Sequence, residues 1–191
     1  MTALTVVAWI AAIIISFAAV LVAILAHRPE RRRLVIASTV PIIGVLTAAA
    51  FGVTPAPHPA LAILMAIAIM GIGVVAGAPA VTYLLETATR GSARPGAHGG
   101  ILVRDARDPL PEREILRGGV TIGYLERFAL IGAVLVGQPA AVAVIVAVKG
   151  LGRFSELDNE QARERFIIGT LASLIWASVC ALAATLVTGV V

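Results

Sequence analysis

Long apolar stretches without a single charged side chain dominate this sequence and restrict the folds open to it. The first, from Ala3 to Ala26, is long enough at ~1.5 Å per helical residue to cross the ~30 Å hydrocarbon core of a bilayer. Across the chain 59% of residues are hydrophobic and only 14% are charged, whereas soluble domains carry about 25% charged residues. Because so few charges cannot cover the surface of a soluble fold, the sequence predicts an integral membrane protein.

Six apolar segments predict an all-α fold, a polytopic transmembrane helical bundle of about six spans arranged as three plus three. Three prolines between Thr54 and Pro59 prevent the second helix from continuing into the third. The fourth and fifth segments, joined at Gln138-Pro139, form either two full crossings or a short or re-entrant hairpin. The predicted apolar segments are Ala3–Ala26, Leu34–Val53, Ala60–Leu85, Gly118–Val136, Ala140–Gly152 and Phe166–Val190. The second is interrupted by Pro41, and Asp158 with Gln161 resembles a capping box that starts the sixth helix.

Composition divides the chain into three parts. Residues 1–85 form a three-span N-terminal half, and residues 118–191 form a three-span C-terminal half with a charged hairpin. Between them, residues 86–117 are the one long polar segment, with four glycines between Gly91 and Gly100 and many charges beyond. This segment is predicted to be a mostly flexible cytoplasmic linker.

The basic residues lie on one side of the predicted bilayer. If the first span runs from outside to inside, all fifteen Lys and Arg lie in inner loops or at the inner ends of the fourth and fifth spans. The positive-inside rule then predicts a multi-pass protein of the bacterial cytoplasmic (inner) membrane with both termini outside. If the fourth and fifth segments form a re-entrant hairpin, its two ends still return to the same side, so the predicted orientation is unchanged. The predicted partner of the basic residues is the lipid bilayer with its anionic headgroups, and not nucleic acid, because no aromatic residues are interleaved among them.

A cluster of charged residues in and beside the fourth and fifth helices is the candidate site: Glu126, Arg127, Lys149, Arg153 and Glu156. A charge inside an apolar helix costs roughly 2.5–3.5 kcal/mol at mid-helix, so such residues are functional candidates. In an antiparallel hairpin that turns near Gly137 and Gln138, Glu126 and Lys149 lie at the same depth. The cluster is either a polar pocket open to the cytoplasm, with Glu126 as ion or proton acceptor, or a structural ion pair.

Small and polar residues indicate how the helices pack. The pairs Gly73/Gly77 and Gly119/Gly123 match the four-residue spacing of close helix contacts. Ser173 is predicted to bond back to its own helix rather than across to another. Trp176 is predicted to lie among the helices.

Motifs of familiar catalytic or metal sites are missing from the sequence. The one cysteine, Cys180, excludes a disulfide or a cysteine cluster, and His27, His58 and His98 fall in separate loops. There is no phosphate-binding loop and no nucleophile elbow. We therefore expect no catalytic residue, no metal and no cofactor, and a protein that is not an enzyme.

Several short motifs in the back half, spread over about residues 107–176, are arranged in a specific order. They are Asp108-Pro109-Leu110-Pro111, Ile122-Gly123-Tyr124-Leu125-Glu126-Arg127, Gly137-Gln138, Ala147-Val148-Lys149-Gly150, Arg153-Phe154-Ser155-Glu156-Leu157 and Ile168-Gly169-Thr170-Leu171-Ala172-Ser173. This stretch resembles the C-terminal part of a family of uncharacterised bacterial integral membrane proteins with a domain of unknown function. The resemblance implies no activity, but its motif positions include the five residues of the candidate cluster.

Two functions compete on this evidence. The first is a non-catalytic scaffold, accessory or assembly subunit of a membrane complex, partnered by other membrane-protein subunits or by self-association, because small-residue helix faces suit partner helices. The alternative is a small ion or solute transporter or channel that uses the Glu/Lys/Arg cluster. A lipid-modifying enzyme ranks third, since its nucleophile or metal set is missing.

Overall fold

Among the residues that the structure describes, four helices are long and apolar enough to cross a membrane, which defines the class: a helical, multi-pass membrane protein. The computed structural model describes residues 3–52, 56, 58–88, 94–95, 101–103, 113–115, 119–152 and 160–189. Within them lie six α-helices: α1 Ala3–Leu25, α2 Val40–Ala50, α3 Pro59–Ala88, α4 Gly119–Leu135, α5 Ala141–Gly152 and α6 Glu160–Thr188. A 3-10 helix, Pro29–Thr39, precedes α2 and runs directly into it.

The candidate spans are Ala3–Leu25, Pro29–Ala50, Pro59–Thr87 and Arg163–Thr188. Helices α4 and α5 are shorter, at 17 and 12 residues, and at ~1.5 Å per residue they reach only ~26 Å and ~18 Å. The helical class predicted from the sequence is therefore confirmed, and four of the six predicted spans have the length of a full crossing. A full crossing by α4 and α5 stays a prediction.

The predicted start of the second helix is wrong because the helix begins earlier than the apolar run does. The basic loop after α1 was predicted to last to Arg33, but the 3-10 helix already begins at Pro29. Proline is tolerated there because the first N–H groups of a helix have no partner within the helix. For the same reason Pro41 does not interrupt the second span, since it lies in the first turn of α2. Helix α6 begins at Glu160, before the apolar segment and close to the capping box from which its start was predicted; Asp158 itself lies outside the described residues.

Helix α3 is the centre of the bundle and packs against α1, α4 and α6. The buried residues there are mostly small, among them Ala68, Ala76 and Ala183. At Gly73 an added Cβ would lie 3.0 Å from the Cβ of Cys180 on α6. The close helix contact predicted from the Gly73/Gly77 spacing is therefore present, since small residues let backbones approach where lipid supplies no hydrophobic force.

Helices α4 and α5 form a hairpin closed by a glycine C-cap. Gly137 has a φ of +73°, its N–H donates to the carbonyl of Val134, and the N–H of Gln138 donates to that of Ala133 at 2.7 Å. This is the Schellman arrangement that ends many helices, and it confirms the predicted turn. Helix α5 contains no buried residue and packs mainly against α4, so one of its faces borders open space.

The polar segment between α3 and α4 contains a small antiparallel sheet in the order β1-β2-β3, built from Arg94–Pro95, Ile101–Val103 and Arg113–Ile115. The sequence did not predict these strands. A signal was present in Ile101-Leu102-Val103, a short apolar run rich in β-branched residues after two glycines.

Candidate functional site

The ion pair predicted from depth in the hairpin is present. Lys149 Nζ on α5 donates to Glu126 Oε2 on α4, and both side chains are largely shielded, at 16% and 13% exposure. The Schellman turn puts the two positions at one level because they are nearly equally far along the chain from Gly137. The pair therefore ties α5 to α4 at the open end of the hairpin.

Arg127, the next residue on α4, points into the bundle and is only 4% exposed. Its Nε donates to the carbonyl of Val74 on α3 at 3.0 Å, and its Nη1 donates to Ser173 Oγ on α6 at 3.2 Å. Its Nη2 is buried without a hydrogen-bond partner. Among the described residues no carboxylate forms a salt bridge with this guanidinium. Its hydrogen-bond partners are therefore neutral, and the neighbouring Glu126 interacts with it only at longer range.

Glycines make the space that Arg127 occupies. A Cβ at Gly77 on α3 would overlap Cδ and Nε of Arg127 and would lie 2.9 Å from its Cζ. On α4 itself, a Cβ at Gly123 would lie 3.0 Å from Nη1 of Arg127. The Gly119/Gly123 spacing, predicted to make a helix contact, thus places Gly123 beside this arginine.

Tyr124 connects Arg127 to the end of α1. The Arg127 Cζ lies 5.4 Å from the centre of the Tyr124 ring, within cation–π distance. The Tyr124 hydroxyl lies 2.6 Å from His27 Nε2, and His27 Nδ1 lies 3.0 Å from the carbonyl of Ala23. Because a carbonyl only accepts, Nδ1 donates to it, and in the neutral ring Nε2 accepts from the tyrosine.

Two further contacts in this region were missed or misjudged from the sequence. Arg32 of the 3-10 helix forms an ion pair with Glu86 near the end of α3, and no spacing rule relates residues so far apart. Ser173 bonds across to Arg127, so the prediction that it bonds back to its own helix is wrong. Trp176, predicted to lie among the helices, is half-buried and donates from Nε1 to the carbonyl of Gly73 at 3.0 Å.

Several of these residues, among them Glu126, Arg127, Lys149 and Ser173, line a partly open cavity of about 1170 Å³ between the α4–α5 hairpin and helices α3 and α6. Its wall is mostly apolar. Toward the hairpin turn, beyond Arg127 on α4 and before Lys149 on α5, all lining side chains are apolar: Ala129, Ala133, Ala141, Val144, Ile145 and Val148. The charged lining residues are Arg32, Glu86, Glu126, Arg127, Lys149 and Arg165. We call this cavity the hairpin cleft.

Of the five predicted cluster residues, the structure brings Glu126, Arg127 and Lys149 to the hairpin cleft. Arg153 and Glu156 lie outside the described residues. Within the described part of the chain no three His, Cys, Asp or Glu side chains are grouped as metal ligands.

Comparison with known proteins identifies no family for this chain. No protein-family model, no curated protein and no solved structure matches the chain. The resemblance of residues 107–176 to a membrane-protein family therefore stays a prediction.

Proposed function

We propose that this protein is a non-catalytic membrane protein that binds an anionic ligand in the hairpin cleft, in the manner of a solute carrier. The observation that carries the proposal is Arg127, a guanidinium that is 4% exposed and bonded only to a carbonyl and a hydroxyl. A charge in an apolar helix without a salt-bridge partner is costly, and such residues commonly mark substrate or ion pathways. An anion bound in the cleft supplies the missing counter-charge.

The other charges of the cleft wall support an anion rather than a cation. Glu126 is neutralised by Lys149, and Glu86 is neutralised by Arg32, so both described carboxylates of the lining already have a cation. Arg127 is then a positive charge in excess, and a bound cation would meet no available carboxylate among these residues. This favours the second of the two functions predicted from the sequence.

The proposal includes an orientation. Arg32, Glu86 and Arg165 belong to helix ends that adjoin the segments with most of the basic residues. With both termini outside, these helix ends and the 86–117 segment face the cytoplasm. The ligand would then reach Arg127 from the cytoplasmic half of the membrane.

Ligand-dependent stability of the protein purified in dodecyl maltoside tests this proposal. Inorganic phosphate and octyl phosphate serve as anion probes, and choline serves as the cation control. An anion that binds only the folded protein, at ~100 times its Kd, adds about 2.7 kcal/mol to the free energy of unfolding, which raises Tm by on the order of 5 °C. The increase should vanish in Arg127→Gln.

The matched control is Arg163→Gln, because Arg163 is exposed on α6 and does not line the cleft. It should keep the full increase in Tm. If neither anion raises Tm, or if Arg127→Gln responds as the native chain does, the cleft is not an anion site.

A second function, the accessory or assembly subunit predicted first from the sequence, is favoured by helix α5. This helix contains no buried residue and packs mainly against α4, so a helix of another subunit or of a second copy has access to it. Extraction in mild detergent, followed by sizing and mass spectrometry, tests this function. A stoichiometric complex supports it, and a chain that runs as a single copy without partners contradicts it.

A further inference from the structure

We infer that the ligand of the hairpin cleft is an amphipathic anion, a lipid-type molecule with a phosphate or carboxylate headgroup beside Arg127 and an apolar chain along the hairpin. This inference rests on the proposed function and specifies its ligand. Basic pockets between transmembrane helices on the cytoplasmic side are known to take anionic lipid headgroups.

The size of the cleft is the first argument for an apolar chain. At about 1170 Å³ it slightly exceeds the ~300–1000 Å³ of usual small-molecule pockets. A bare anion beside Arg127 would leave most of that volume unfilled. A molecule that fills it needs a substantial body in addition to its charged group.

The chemistry of the wall is the second argument. On α4 and α5, from Arg127 and Lys149 toward the hairpin turn, the lining consists only of alanine, valine and isoleucine side chains. Water or a hydrated ion there would lose hydrogen bonds that these walls cannot replace. An acyl chain loses nothing by this transfer, because the walls are as apolar as the bilayer.

Access from the bilayer is the third argument. Helix α5 supplies one wall of the cleft through Val144, Ile145 and Val148, yet it packs mainly against α4. The cleft is also partly open. An amphipath can therefore enter sideways from the lipid with its headgroup remaining at the charged level of Arg127 and Lys149, whereas a free anion would have to leave water.

Fluorescence quenching by brominated lipids tests the ligand class. Trp176 lies one turn from Ser173 on α6 and donates to Gly73, next to the residue that binds Arg127, so it reports on this region. The Trp9→Phe protein, whose only tryptophan is Trp176, would be reconstituted into phosphatidylcholine vesicles. These vesicles would contain increasing fractions of dibrominated phosphatidylglycerol or dibrominated phosphatidylcholine. We expect half-maximal quenching at a several-fold lower fraction of the anionic lipid.

Three variants assign the preference to the cleft. Arg127→Gln should reduce the ratio of the two half-maximal fractions to about one. Val148→Phe, which fills the apolar wall and leaves Arg127 intact, should do the same, and it tests the site even if Arg127→Gln fails to fold. Leu151→Phe is its control, because Leu151 is exposed on the same helix and does not line the cleft; it should keep the native ratio.

The outcomes separate this inference from the proposed function. A ratio of about one in the native chain, with Tm raised equally by inorganic phosphate and octyl phosphate, overturns the lipid inference and keeps the anion site. A ratio of about one with no rise in Tm by either anion overturns both. A several-fold ratio that survives in Arg127→Gln and Val148→Phe means that the anionic lipid binds elsewhere on the surface, which also overturns the inference.

Discussion

Replacing Gly77 with alanine should destabilise this protein through Arg127, although alanine is the better helix former. The added methyl group would overlap Cδ and Nε of Arg127, so the guanidinium must leave its place between α3, α4 and α6. It would then lose its hydrogen bonds to the carbonyl of Val74 and to Ser173.

The magnitude follows from those two bonds. Hydrogen bonds between membrane helices contribute about 0.6 kcal/mol on average and at most about 1.7 kcal/mol, so two of them are worth about 1–3 kcal/mol. Alanine in place of glycine recovers roughly 0.5–1 kcal/mol within a helix. We expect a net loss of up to about 2.5 kcal/mol in the free energy of unfolding, measured by titrating dodecyl sulfate into mixed micelles.

The control is Gly132→Ala on α4, where the nearest atom to an added Cβ is Met70 Cε at an ordinary 3.7 Å. It should be neutral or stabilising by up to about 1 kcal/mol. A double-mutant cycle gives the decisive result. In an Arg127→Met background Gly77→Ala should no longer destabilise, and an unchanged cost there would refute the steric argument.

Two further predictions concern the ion pair and the topology. Neutralising Glu126 or Lys149 alone should cost up to about 3 kcal/mol of unfolding free energy, the low end for buried pairs because both keep some exposure. The double variant Glu126→Gln with Lys149→Met should cost far less. Additive losses in the same titration would contradict a coupled pair. A cysteine at His58 should react with an impermeant thiol reagent in intact cells whereas one at Gly96 should not, and reversed labelling would exclude the proposed orientation.

Local sequence was sufficient to predict most of the helices and one contact between side chains. Uncharged apolar runs predict membrane helices because no polar group is left to face lipid, and α1 and α3 lie close to the predicted bounds. The contact of Glu126 with Lys149 was predictable because a short turn relates positions in a hairpin by counting alone. The start of the second helix was predicted less well, since Pro29 begins a helix in a polar stretch, where hydropathy carries no signal.

The surroundings of Arg127 depend on tertiary structure. Val74, Gly77 and Ser173 come from two other helices, and no spacing in the sequence relates them to Arg127 or to each other. The sequence by itself determined that a charged residue lies inside an apolar helix of a membrane protein. Only the packing of α3 and α6 around α4 decided that this charge is buried with neutral hydrogen-bond partners beside a partly open cleft, because distance along the chain says nothing about which helix faces meet.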